Sequence, residues 1–500
     1  MSILEFFVTI VILFILKFYY DYFIRSTPYP GPLPLPIIGN LHQYYYHSND
    51  FLSWLHQLSS KYGDVFELYF GSCRYLMISD PRIVEKVMSP VKDSNYFVRV
   101  TAKDGLEELK KGNNGLLFNM DLNSWSYIRK FFKVIMTPNN LKLEILNNVF
   151  QDLERYWNCL IEKHGQFLID EQEKSVEIDF VPWSRKFFAE TMMLLTASKK
   201  LDLLSNHYNR IIKNFNNNHD SNEEFLDRII LASDCNITWT RNYACDLVKE
   251  NRKIIESIDD KEELTIDILN MLLTANTSKD ITRGISNDNN TPMTDEEIAD
   301  NVVEILSEGI DSPANTLSFI VYYVGNNLDV EKLIIDEIER VFGHGSDFNI
   351  TYEDLSKLEY IEAVIKEGNL LRKPITATIS RFSEKSDQID EYKIPSSTQL
   401  AINVMGLHMN PNYWENPKEF NPSRFLADNN KPEINKNAFM YFGGGLRMCP
   451  GKHLAMTQLK MLITLLYSKY KLQVITKEPS LQNNINTQCK ELKIRINCRK

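Results

Sequence analysis

Residues 442–451 read Phe442-Gly443-Gly444-Gly445-Leu446-Arg447-Met448-Cys449-Pro450-Gly451, and the rest of the chain is best read outward from them. Three consecutive glycines let the backbone turn tightly and approach a flat partner, and Arg447 adds one fixed positive charge. From Lys452 to Leu462 apolar residues recur at helical spacing. Cys449 therefore stands just before a helix N-terminus, whose free amides favour the ionised thiol, and a thiolate poised there can bind iron. For one cysteine in isolation the plainer reading is a buried structural thiol beside a turn.

The spacing F-x-x-G-x-R-x-C-x-G resembles the haem-binding loop of the cytochrome P450 family, with every fixed position filled. The resemblance implies a mainly α fold with a small β region, carried by an N-terminal transmembrane anchor. It also implies haem b, an iron protoporphyrin IX, with the Cys449 thiolate as axial ligand and Phe442, Gly445, Arg447 and Gly451 around it. Trp125 and Arg129 lie four residues apart, hence on one helix face, and an indole N–H and a guanidinium can both donate to a carboxylate. They resemble the family's W-x-x-x-R, which binds a haem propionate. By the same resemblance Arg381 is a propionate contact, His408 occupies the histidine position before W-x-x-P, and Phe97, Leu116, Leu117, Phe118 and Ile375 to Thr378 border the substrate.

Composition narrows the setting. Five hundred residues would allow two or three domains, but no composition shift follows residue 40 and no repeat is present, so one large domain is expected. Seven cysteines, an odd count with no C-x-x-C pair, read as reduced thiols in a cytosolic environment. A net charge of -10 argues against nucleic acid as a partner.

Ile3 to Ile24 is apolar and aromatic, interrupted by Glu5, Lys17 and Asp21. Lys17 can snorkel, and Tyr19, Tyr20 and Tyr22 suit a membrane interface. Glu5 in front and Arg25 behind do not suit a cleaved signal peptide, and Lys17 with Arg25 would hold the following chain in the cytosol. Residues 1–25 thus read as a single-pass anchor and 26–40, rich in proline, as a stiff hinge. Residues 41–500 read as the haem-thiolate catalytic domain, by resemblance at the endoplasmic reticulum.

Phe51 to Tyr62 predicts a helix, and Val65 to Phe70 with Tyr75 to Ile78 a hairpin. Strands are expected at Ile375 to Ser380 and Gln399 to Val404, and those around Leu472 to Ile475 and Leu492 to Ile496 should close the small sheet. Thr294-Asp295-Glu296-Glu297 is a capping box opening a helix that runs to about Leu328. In its middle, Glu308-Gly309-Ile310-Asp311-Ser312-Pro313 should open the helix locally, leaving a groove beside Gly309 flanked by a carboxylate and a hydroxyl. A kink made for packing is the plainer alternative. With Cys449 in view, the stretch resembles the family's oxygen-binding groove. Gly309, Asp311 and Ser312 would then be catalytic, the last two relaying protons. Glu308 stands where the family has alanine or glycine.

One motif is broken. The family's E-x-x-R places an arginine one turn after its glutamate, but Leu370 stands three residues after Glu367. Arg372 lies about 140° round an ideal helix unless Gly368 distorts it. Arg424, in Phe420 to Phe425, is left to pair with Glu367 alone. The expected activity is insertion of one atom of O2 into an apolar small molecule. Electrons would come from a membrane-bound NADPH-dependent reductase docking on Lys130, Lys133, Arg447 and Lys452. The alternatives are a haem-thiolate isomerase or dehydratase acting on peroxides, and a non-catalytic haem-binding protein.

Overall fold

The computed structural model describes residues 3–46, 51–91, 95–99, 115–117, 119–136, 143–167, 174–215, 237–259, 264–281, 291–345, 347–373, 379–427, 434–483 and 487–499. The expectations for Phe118 and for 375–378 lie outside them.

Helix α1 (Ile3–Phe23) has no buried residue and is, among the described residues, the one helix long and apolar enough to cross a membrane. Its 21 residues rise about 31 Å, the thickness of a hydrocarbon core. Just past it Arg25 pairs with the buried Glu67, which also takes Arg74 at 2.7 Å, so the end of the anchor is tied to the first strand.

Helix α2 (Phe51–Tyr62) leads into β1 (Val65–Phe70) and β2 (Cys73–Ile78), paired antiparallel from Phe70↔Cys73 outward. The second strand starts two residues earlier than expected, because Gly71 at φ 61 makes a two-residue turn. There follow α3 (Leu122–Ile135), α4 (Leu143–His164), β3 (Lys174–Asp179), α5 (Phe180–Ala197), α6 (Ile237–Ser257) and α7 (Asp295–Gly325). Next come α8 (Leu328–Phe342), α9 (Glu359–Leu371), β4 (Ile379–Phe382), β5 (Gln399–Ile402), α10 (Lys452–Lys469), β6 (Tyr470–Val474), β7 (Ser480–Asn483), β8 (Thr487–Glu491) and β9 (Lys493–Cys498).

One sheet runs β1-β2-β5-β4, with β2 and β5 parallel. The C-terminal strands do not close it. Instead β9 pairs with β3 and β6 in a separate antiparallel sheet, where Ile494 and Ile496 are fully buried. Val404, expected in a strand, begins a short helix capped by Asn403.

The centre is α7. Its capping box is complete, with Thr294 N–H donating to Glu297 at 2.8 Å and the reverse bond at 3.2 Å. From Pro313 to Val321 every residue is buried, so this half is enclosed on all sides. Helix α9 crosses it at Gly368, where a Cβ would lie 2.9 Å from Ile320. That glycine therefore permits a close helix crossing, and α9 continues unbroken past it rather than distorting toward Arg372.

Candidate active site

The Cys449 loop is closed by its own backbone. Cys449 N–H donates to the Phe442 carbonyl at 2.9 Å, and Met448 N–H to Gly445 at 3.2 Å. Gly443 and Gly445 have φ of 73 and 65, and a Cβ at Gly445 would overlap the Met88 carbonyl, so glycine is required there. Helix α10 starts three residues after Cys449, as expected. Burial nevertheless pushes the Cys449 thiol up, against the Gly451 amide, Arg129 and Arg99, which favour the thiolate, while Glu308 of α7 adds to the upward push.

Around this loop stand four guanidinium groups. Arg447 donates to the carbonyls of Leu116, at 3.2 Å, and Asn119, and lies over the rings of Phe97 and Trp125 at 4.4 and 4.8 Å. Arg129 donates to the Met448 carbonyl at 2.7 Å, with its guanidinium 5.9 Å from Trp125, so the predicted pair does share one face. Arg99 reaches the Arg447 carbonyl at 3.3 Å. Arg381, itself buried, bonds the Ser380 carbonyl at 2.8 Å and Met88 sulfur at 3.2 Å.

None of the four makes an ion pair among the described residues, and the Nε atoms of Arg99, Arg129 and Arg447 are buried without a partner. Burial, with the other arginines adding repulsion, pulls Arg381 and Arg447 down to about 9, and burial also lowers Arg99 and Arg129, although Glu304 of α7 favours the charge of Arg447, and Glu304 and Glu308 that of Arg99. Desolvated cations without anions are costly, so the cluster fits a ligand carrying carboxylates. Arg99 was not legible as part of it, since it stands in an irregular stretch with no motif around it. Arg447, 6% exposed, cannot belong to a docking surface as the sequence suggested, whereas Lys130, Lys133 and Lys452 are exposed.

The α7 residues are arranged differently from expectation. The helix is continuous through Pro313. The space beside Gly309 is taken by Met192 of α5, whose Cε would lie 2.8 Å from a Cβ, so this glycine serves a helix crossing. Ser312 hydroxyl donates to the Glu308 carbonyl at 2.7 Å, one turn back. Asp311 faces away along α5 and β8, with Arg185 at 3.3 Å and Gln488 Nε2 donating at 3.0 Å. The carboxylate and hydroxyl are thus held by different neighbours. Asn301 and Glu304, on the same helix, accept from the amides of Leu116 and Leu117 at 3.1 and 2.7 Å and pin the segment beneath Arg447.

The family model for Cytochrome P450 matches residues 29–496. The chain belongs to the cytochrome P450 family. Cytochrome P450 3A28 of Bos taurus is 27% identical over 467 residues, 91% of this chain and 86% of that protein. Cytochrome P450 3A25 of Mus musculus is 26% identical over 472 residues, 91% and 87% of the two chains. Cytochrome P450 3A6 of Oryctolagus cuniculus is 26% identical over 458 residues, 88% and 85%. This P450 is accordingly a monooxygenase, an oxidoreductase with a haem-thiolate cofactor.

Its broken motif is repaired on one side only. Glu367, fully buried, accepts from Arg424 Nε and from the Asn421 amide, each at 2.9 Å. Arg372 caps α9 and lies by Tyr323, outside that pair. Leu370 sits in an apolar cluster with Trp414 and Ala438. His408 is buried, and its Nε2 accepts the Met440 amide at 3.1 Å, a structural bond.

Proposed function

We propose that this P450 holds haem b with Cys449 as its thiolate ligand and inserts one atom of O2 into an apolar small molecule. The observation that carries the reading is the set of four arginines, Arg381 and Arg447 buried and Arg99 and Arg129 half-buried, gathered around the loop of Cys449 with no ion pair among the described residues. Two propionates would supply the missing anions, with Trp125 beside them. The bound haem, receiving electron density from the thiolate, supplies O–O bond cleavage.

The chain's own residues bind, orient and deliver protons. Phe97 and Leu116, both buried, offer apolar surface near the arginines. Ser312 has a hydroxyl oriented by the Glu308 carbonyl, and Asp311 is reachable from outside the pocket through Gln488 and Lys490, 2.9 Å apart. In this reading Asp311 releases Arg185 to pass a proton to Ser312, and Gly309 lets Met192 of α5 pack against this turn of α7. Exposed Lys130, Lys133 and Lys452 form the docking face for an NADPH-dependent reductase. Helix α1 is a single-pass anchor, residues 26–40 the hinge and 41–500 the catalytic domain, on the cytosolic side of the endoplasmic reticulum.

The test is a carbon monoxide difference spectrum of the reduced full-length protein. A thiolate-type Soret band is expected, and its absence from haem-loaded protein sinks the reading. Substrate-linked NADPH oxidation with reductase and O2 separates oxygen insertion from peroxide rearrangement, which would proceed without reductase.

A further inference from the structure

Leu370 donates nothing to the Cys449 loop, yet the loop is not without a buried cation from the α9 segment. Lys373, two residues beyond the end of α9, is 5% exposed and sends its ammonium to the Met440 carbonyl at 2.5 Å. No carboxylate pairs with it among the described residues. Burying an ammonium for one carbonyl is costly, and a residue present only to fill space would be apolar. The recipient peptide is also held on its other side, because Met440 N–H donates to His408 Nε2 at 3.1 Å. The same Met440 carbonyl accepts Gly443 N–H at 3.3 Å and so starts the turn that ends with Cys449 N–H on the Phe442 carbonyl.

We propose that Lys373 is a positioning residue for the thiolate, clamping the leading arm of the Cys449 loop from the α9 side. Glu367 and Arg424 then keep the fold of the 415–425 segment, while Lys373 and His408 together hold the peptide from which the loop springs. The two tasks fall to separate residues. This inference rests on Cys449 being the haem ligand.

The test compares full-length, haem-loaded wild type with Lys373→Met and Lys373→Gln. Far-UV circular dichroism gives folding, the reduced carbon monoxide spectrum gives the thiolate band, and hydrogen exchange follows amides 441–449 against those of α7. Lys373→Met is expected to shorten the lifetime of the thiolate-type band about 10-fold, the low end of what losing an outer-shell partner costs in metal affinity. Exchange should rise in 441–449 and not in α7. Lys373→Gln, which keeps a donor, should fall between. If Lys373→Met does not fold, Lys373→Gln is read in its place. A folded variant with wild-type band lifetime and wild-type exchange at 441–449 overturns the proposal. A wild type without a thiolate band overturns the haem-thiolate reading instead, and the exchange arm still decides whether Lys373 clamps the loop.

Discussion

Glu367 with Arg424 and the four arginines around Cys449 are both buried and charged, and they differ in whether the chain closes its own charges. Glu367 receives Arg424 and the Asn421 amide, and Arg424 also donates to the carbonyls of Glu415, Asn416 and Glu419. Every charge there has a partner within the protein. Arg99, Arg129, Arg381 and Arg447 find carbonyls, aromatic faces and a sulfur, but no ion pair among the described residues, with Glu304 of α7 favouring the charges of Arg99 and Arg447 only through space. A closed cluster holds a fold, whereas an open one holds something the chain does not encode. The contrast separates residues that the protein needs for stability from those it needs for a ligand.

The largest effect expected from breaking this contrast is at the closed pair. Arg424→Met leaves Glu367 buried without its cation and should cost about 3–5 kcal/mol of stability. Urea unfolding with and without haem should show the same loss in both forms. A loss confined to the haem-loaded form would mean that the pair belongs to the ligand site. At the open cluster, Arg447→Met removes one unpaired cation from between Phe97 and Trp125. The haem-free protein should be no less stable, since replacing a buried charge by an apolar side chain is often neutral or favourable. Haem affinity should nevertheless fall roughly 10- to 100-fold. Haem transfer to an acceptor protein measures the second outcome and urea unfolding the first, and equal losses in both would erase the distinction.

The same contrast explains what was legible from sequence. The Cys449 loop and the capping box at Thr294 could be read because each rests on residue types at short or fixed spacing, and the pairing of Glu367 with Arg424 followed only from the family resemblance. Arg99 could not, because its membership depends on where an irregular segment carries one guanidinium relative to a loop some 350 residues away. Lys373 has no motif to mark it, and its role depends on the reach of a long side chain to Met440. The helix residues failed for a different reason. Gly309 and Pro313 predict a break only if nothing fills the gap, and Met192, from a helix more than a hundred residues earlier, fills it. The C-terminal strands were seen as strands, but alternation within a strand does not name its partner, and β9 chose β3 and β6.

The smallest effect sharpens how closed the closed pair is. Complete burial pushes the Glu367 carboxyl up to about 7 from 4.5, with Arg424 and the Asn421 amide pulling the other way without prevailing. A carboxyl raised in the folded state binds its proton more tightly there than in the unfolded chain. Its contribution to stability is therefore fully present below about 4.5 and is lost as pH rises through about 7. Other groups slope oppositely: burial lowers His408 to about 3, so its contribution favours the fold increasingly as pH rises toward its ordinary range. The Glu367 share must therefore be isolated as wild type minus Glu367→Gln, the amide being a shape match for the protonated acid. That difference should decline between about pH 4.5 and 7, by no more than about 1.4 kcal/mol per pH unit, and be level above. A difference that instead rises with pH would mean that Arg424 holds Glu367 ionised throughout, closing the pair as a full salt bridge.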